Sequence, residues 1–94
     1  MIREDAGALR LEGSVTHRNA RPLLEEGRRL LGSRDLTVDL AGVAEADSCM
    51  MALLLDWRRA CAAAGRPLRV ANAPPMVRAL AQVYGVDALL GVDG

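Results

Sequence analysis

Segments whose apolar residues recur at every second position alternate along this chain with segments in which they recur every three or four positions. This alternation limits the folds that the chain can adopt more than any other feature. Leu9, Leu11 and Gly13 alternate with polar residues, which predicts a strand with one buried face. From Asn19 to Gly32 the apolar residues recur every three or four positions, which predicts an amphipathic helix with Asn19 as its N-cap. The chain therefore opens with a strand followed by a helix.

The same unit occurs again in the middle of the chain. Residues 36–40 alternate and predict a second strand, which a loop over residues 41–46 connects to a long helix over residues 49–64. Gly65 is placed to end that helix. Residues 68–72 predict a third strand.

The last predicted helix begins at Pro74 and Pro75, because proline is favoured in the first turn of a helix. Gly85 ends it, and the tail over residues 86–90 is apolar enough to dock as one helical turn. The helix is expected to bury one stripe of five residues: Met76, Val77, Leu80, Val83 and Tyr84.

This order of elements predicts a single α/β domain over residues 1–94. Each connection is long enough for a crossover between parallel strands. Residues 1–5 can add a short edge strand, so we expect a mainly parallel sheet of four to five strands. Because the strands alternate instead of being apolar throughout, we expect three to four helices to cover mostly one face of the sheet.

The charge balance excludes several classes of protein. The chain has 12 basic and 12 acidic residues, a formal net charge of zero, and every basic residue is arginine. A neutral chain lacks the basic field with which proteins hold nucleic-acid phosphates, so no nucleic-acid partner is expected. There is no lysine to form a Schiff base or to serve in a Walker loop.

No segment is suited to export or to membrane insertion. Residues 1–5 include three charged side chains and no apolar signal region, and the longest apolar run, residues 49–55, is far shorter than the roughly 20 residues needed to cross a bilayer. Cys49 and Cys61 lie about 18 Å apart on one predicted helix, so they cannot form a disulfide with each other. We expect a cytoplasmic protein with free thiols.

Catalytic and metal sites have little support in the sequence. His17 and two separated cysteines do not make a metal-ligand set. Ser48, His17 and Asp47 can be combined on paper into a triad, but the Gly-x-Ser-x-Gly elbow is absent and an adjacent Asp and Ser more often cap a helix. We therefore expect no enzyme, no metal and no cofactor.

The long helix carries more apolar residues than one buried stripe requires. The expected core stripe consists of Met50, Leu53, Leu54, Trp57, Cys61 and Ala64. Met51, Ala52 and Leu55 are additional, and on a helical wheel they share a face with Ser48 and Arg59. Two interpretations stay open: the strands or the tail bury this patch, or it is a partner-facing surface.

Ser48 also has two interpretations. Its hydroxyl can cap the helix, or it can accept a phosphate that the helix N-terminus would favour. A phosphate there would add about two negative charges beside Asp47 and the apolar patch, which would weaken a hydrophobic interface. Ser48 is therefore a candidate phosphorylation site.

These features together resemble the STAS domain family, named for sulfate transporters and anti-sigma factor antagonists. The resemblance covers nearly the whole chain, with an Asp-Ser pair before an apolar helix as its most recognisable feature; Cys49 and Met50 stand where antagonists usually continue with Ser-Gly. It is carried by Leu11-Glu12-Gly13, Val38-Asp39-Leu40, Val43, Asp47-Ser48, Ala52-Leu53-Leu54-Leu55 and Gly65-Arg66-Pro67-Leu68.

Residues 80–86 and 89–90 are similar to the lipid-asymmetry, MlaB-like branch of this family. The resemblance implies a non-enzymatic cytosolic subunit, peripheral to the inner membrane, that docks on the ATPase subunit of a phospholipid-transport ABC complex. The alternative is an anti-sigma factor antagonist that a serine kinase phosphorylates at Ser48. The sequence leaves open whether the isolated domain forms a weak homodimer through the apolar face. The implied partner-binding residues are Asp47, Ser48, Cys49, Met51, Ala52, Leu55, Arg59, Thr16 and His17.

Overall fold

The computed structural model describes residues 1–92 and contains four strands and four helices in that range. The elements are β1 (Ile2–Asp5), β2 (Ala8–Val15), α1 (Ala20–Ser33), β3 (Thr37–Ala46), α2 (Ser48–Ala63), β4 (Arg69–Ala71), α3 (Pro75–Val83) and α4 (Asp87–Leu90).

The sheet has the strand order β1-β2-β3-β4. β2, β3 and β4 pair in parallel, and β1 pairs antiparallel with β2 at one edge. The predicted edge strand, the parallel crossovers and the mainly parallel α/β fold are therefore confirmed. The helices contact one another, α1 with α2 and α2 with both α3 and α4, so they form one layer.

The two faces of the sheet differ as the alternation predicted. Leu9 and Leu11 are fully buried under the helices, whereas Arg10 between them points to the other face. There Asp39 is 8% exposed and accepts hydrogen bonds from Arg10 Nη1 at 2.7 Å and Asn72 Nδ2 at 3.3 Å. This buried carboxylate therefore links β2 and β3 to the residue that follows β4.

The predicted loop over residues 41–46 is wrong, because β3 continues to Ala46. This part of β3 pairs with the second half of β2 through two register shifts, which break the strict period of two that marks a strand in the sequence. The strands approach closely at Gly42, where a Cβ would lie 3.1 Å from the Leu11 carbonyl oxygen. The extension carries the chain directly to the start of α2.

Trp57 fixes the packing of α1 on α2. Its side chain is fully buried, and its Nε1 donates a hydrogen bond to the Leu24 carbonyl oxygen at 3.0 Å. The indole lies against the backbone of α1 at Gly27, where a Cβ would come within 2.0 Å of the ring. The predicted assignment of Trp57 to the core is confirmed.

The predicted buried stripe of α3 is only partly right. Val77 is fully buried and Leu80 is half-buried, but Met76, Val83 and Tyr84 are exposed. Val83 lies six residues after Val77, about 120° around the helix, and is 80% exposed. Tyr84 follows the last residue of α3, beyond the core layer. The tail docks as α4, as predicted, through Leu90.

Residues 1–92 include no helix that combines the length and apolar character required to span a membrane.

Candidate partner-binding surface

The carboxyl ends of β2 and β3 bring two distant segments together. Val15 and Ala46 are paired in the sheet, so the loop over residues 16–19 lies beside the start of α2. An open cleft of about 380 Å³ forms between them. It is lined by Ser14, Thr16, His17, Arg18, Asn19, Glu45, Ala46 and Asp47.

Asp47 joins the loop to the helix. One carboxylate oxygen accepts from the backbone N–H of Cys49 at 2.9 Å, which makes Asp47 the N-cap of α2. The other lies 3.0 Å from the backbone nitrogen of His17 and 3.1 Å from its Nδ1. The backbone N–H groups of His17 and then Cys49, followed by the His17 ring, lower the pKa of Asp47 to about 2.

The loop is held in place by Asn19. Asn19 is the N-cap position of α1, as predicted, but its side chain makes no capping hydrogen bond. Its Oδ1 instead accepts from the backbone N–H of Thr16 at 3.0 Å, and its Nδ2 donates to the Ser14 carbonyl oxygen at 2.7 Å. Thr16 and His17 therefore lie on an ordered part of the surface.

Ser48 is exposed, and the interpretation of Ser48 as the helix cap is wrong because Asp47 takes that position. Its hydroxyl has no hydrogen-bond partner within residues 1–92. The hydroxyl is therefore free to meet a partner or to carry a phosphate. Cys49 beside it is half-buried, and burial, together with the Asp47 carboxylate, raises the pKa of its thiol.

The outer face of α2 is smaller than predicted. Met51 is 3% exposed and belongs to the core, so its assignment to the exposed patch is wrong. The reason is that α2 packs against α1, α3 and α4 and buries more of its circumference than one stripe. Ala52 is exposed and Leu55 is half-buried against the core. Arg59 is exposed, about 16 Å along the helix from Ser48.

The structure assembles neither a catalytic triad nor a metal site in the described part of the chain. His17 contacts Asp47, but no hydrogen bond joins His17 to Ser48. Residues 1–92 contain no group of three or more His, Cys, Asp or Glu side chains that could hold a metal ion.

A groove between α1 and α2 was not predicted. It has a volume of about 380 Å³ and opens beside the start of α2. Sequence periodicity shows which residues of a helix are buried, but it does not show which helices are neighbours. The available signal was the small size of Ala20, Cys49 and Ala52, which line the groove.

A family model described as Mlab, STAS domain, matches residues 2–91. The chain belongs to the STAS domain family. The structure of the anti-sigma factor antagonist SpoIIAA in its unphosphorylated form has the same fold, with a TM-score of 0.70 and 19% identity over 94% of this chain and 82% of that one. Mglu gives a TM-score of 0.61 and 22% identity over 82% of this chain, which spans 20% of the Mglu chain. No curated protein matches this sequence.

Within the STAS fold of this chain, Asp47, Thr16 and His17 line one cleft, and Ser48 follows Asp47 at the start of α2. Ala52 lies one turn further along α2, and Arg59 lies at a distance from this group. The surface joins an exposed hydroxyl, an ordered polar loop and a small apolar patch. Its partner-binding role stays a prediction.

Proposed function

We propose that this STAS domain is a non-enzymatic, cytoplasmic subunit that docks on the ATPase subunit of a bacterial phospholipid-transport ABC complex at the inner membrane. The match to the Mlab STAS model supports this class of partner. The observation that carries the proposal is the exposed start of α2, where Ser48 and Ala52 lie beside a loop already held in place. The domain reaches the membrane only through its partner.

The chemistry of this surface favours binding over catalysis. Both oxygens of the Asp47 carboxylate accept hydrogen bonds from other groups, and within residues 1–92 no hydrogen bond joins the Ser48 hydroxyl to Asp47 or His17. The raised pKa of the Cys49 thiol keeps it protonated and unreactive near neutral pH. An ordered loop loses little conformational entropy on binding, so its contacts contribute more fully to affinity. Docking then supports assembly and activity of the ATPase, and through it outer-membrane lipid asymmetry.

The direct test is calorimetric titration of the purified chain with the purified ATPase subunit of its host's phospholipid transporter. We expect the wild-type chain to bind and Ser48→Glu to bind about tenfold more weakly, because the added carboxylate lies beside Asp47 in the interface. Ser33→Glu is the matched control, since Ser33 is exposed at the far end of α1. Failure of the wild-type chain to bind overturns the proposal.

The second candidate function is an anti-sigma factor antagonist controlled by phosphorylation of Ser48. The shared fold with SpoIIAA and the free, exposed hydroxyl of Ser48 favour it. The test is to purify the tagged chain from its host and to examine the Ser48 peptide by mass spectrometry. A serine kinase partner with phosphorylated Ser48 supports this candidate, whereas an ABC ATPase with unmodified Ser48 supports the first.

A further inference from the structure

The groove between α1 and α2 is an open depression in the surface of the helix layer. Ala20 and Leu24 of α1 and Cys49 of α2 are half-buried along it, and exposed Ala52 lies at its outer side. Three of these four side chains are small, which leaves room for an apolar side chain from outside. The groove begins next to Ser48 and is continuous with the surface proposed to dock the ATPase.

The length of the groove is set by an ion pair. Arg28 Nε lies 2.9 Å from Asp56 Oδ2, and Arg28 Nη2 lies 2.9 Å from Asp56 Oδ1, so this bidentate pair bridges α1 and α2 at one end. The other end is open towards Ser48. From Arg21 to Arg28 α1 rises about 10 Å, which is the length of about two helical turns.

In the described part of the chain, the groove lining carries one cation without an ion-pair partner, at its open end. Arg21 is exposed there, and the ion pairs formed within residues 1–92 do not include it. The nearby Asp47 carboxylate is already engaged by His17 and Cys49. Glu25, further along, faces the Arg28 side of the groove. An acidic group of a partner is therefore the complementary charge.

We propose that this groove receives an amphipathic helical segment of the ATPase subunit, about two turns long, with an apolar side chain among Ala20, Cys49 and Ala52 and a carboxylate against Arg21. The inference rests on the proposed function. A helix fits because α1 and α2 offer side-chain ridges for a third helix. An extended segment would need a free sheet edge for backbone pairing, which these helices do not have.

Two measurements on the purified chain and the purified ATPase subunit test this inference. Arg21→Glu is expected to weaken binding about tenfold, because it reverses the charge that meets the carboxylate. Arg29→Glu is the matched control, since Arg29 is exposed on α1 but does not line the groove. In alkylation with iodoacetamide at alkaline pH, where part of the thiol is ionised, Cys49 is expected to react more slowly in the complex than in the free chain, with Cys61, 3% exposed, as a poorly accessible internal reference.

The outcomes separate the two proposals. If Arg21→Glu binds as well as the wild-type chain, or if Cys49 stays as reactive in the complex as in the free chain, the groove assignment is overturned and the proposed function stands. If the wild-type chain does not bind the ATPase subunit at all, both are overturned.

Discussion

Among the glycines of residues 1–92, Gly27 is the one at which an added Cβ would make the shortest contact. Alanine is normally more stable than glycine within a helix by about 0.5–1 kcal/mol. At Gly27 a Cβ would lie 2.0 Å from Cζ2 of the buried Trp57 ring, which the hydrogen bond to Leu24 holds in place. Because this hydrogen bond keeps the ring from moving away, the clash outweighs the usual preference for alanine within a helix.

We expect Gly27→Ala to lower the free energy of unfolding by about 1–3 kcal/mol, because the added methyl overpacks the interface between α1 and α2. Gly32→Ala in the same helix is the control. A Cβ at Gly32 meets nothing within 4 Å, so this variant should gain up to about 1 kcal/mol. Chemical denaturation measures both, and a stabilising Gly27→Ala would contradict the described packing.

The fully buried side chain of Trp57 holds α1 and α2 together. Trp57→Ala should lower the free energy of unfolding by about 3–5 kcal/mol, because it leaves a cavity between α1 and α2. Trp57→Phe keeps part of the ring and loses the hydrogen bond to Leu24, so it should cost less. If urea denaturation gave equal losses for the two variants, the cavity would not be the main cause.

At the scale of the element, the N-terminus of α2 depends on an ionised Asp47. The pKa of Asp47 in the folded chain is about 2, below the usual 3.8. Ionised Asp47 therefore stabilises the fold at pH values above 3.8, and this contribution is lost as the pH falls through about 2. Hydrogen bonds from the Ala41 backbone and from Asn72 lower the pKa of Asp39 as well, so it adds to the same dependence.

Asp47→Asn tests this dependence, because asparagine can still cap a helix but does not titrate. We expect the unfolding midpoint of this variant to fall less steeply than that of the wild-type chain between pH 3.8 and 2. Part of the pH dependence remains in this variant, because Asp39 still titrates. Thermal unfolding followed by circular dichroism across this range makes the comparison, and identical slopes would show that the Asp47 contacts do not favour its ionised form.

The elements that the sequence predicted most directly are those with a clear local signal. The first half of β2 and α1 have a regular apolar period, and α2 is marked by its long apolar run and its Asp47 cap; the structure contains each of them. The second half of β3 was missed because its register shifts interrupt the alternation. The exposed side of α3 was missed because it depends on where the helix meets its neighbours, which periodicity does not specify. In the candidate surface, the position of Ser48 was predictable, whereas the burial of Met51 and the groove were not.

At the scale of the whole molecule, α2 divides into a side that holds the fold together and a narrow side available to a partner. Six residues of α2 are buried, while Ala52 is exposed and Leu55 lies between the two regions. Leu55 is half-buried against the core, so a charge there affects folding and binding together. Ala52 is the residue that separates the two effects.

We therefore expect Ala52→Glu to leave the free energy of unfolding within about 0.5 kcal/mol of the wild-type value, because Ala52 contributes little to the core. The same change should weaken binding of the ATPase subunit about tenfold, since it places a charge in an apolar contact. Ala63→Glu, exposed at the other end of α2, is the control for charge on this helix.

Leu55→Asp should behave differently and lower the free energy of unfolding by about 1–3 kcal/mol, because it removes core contacts and partly buries a charge. Denaturation and calorimetric binding on the same preparations of all three variants distinguish the effects. Weak binding by Ala52→Glu with normal stability would identify α2 as part of the interface. Normal binding by Ala52→Glu alongside weak binding by Ala63→Glu would move the interface to the opposite end of the helix, away from Ser48.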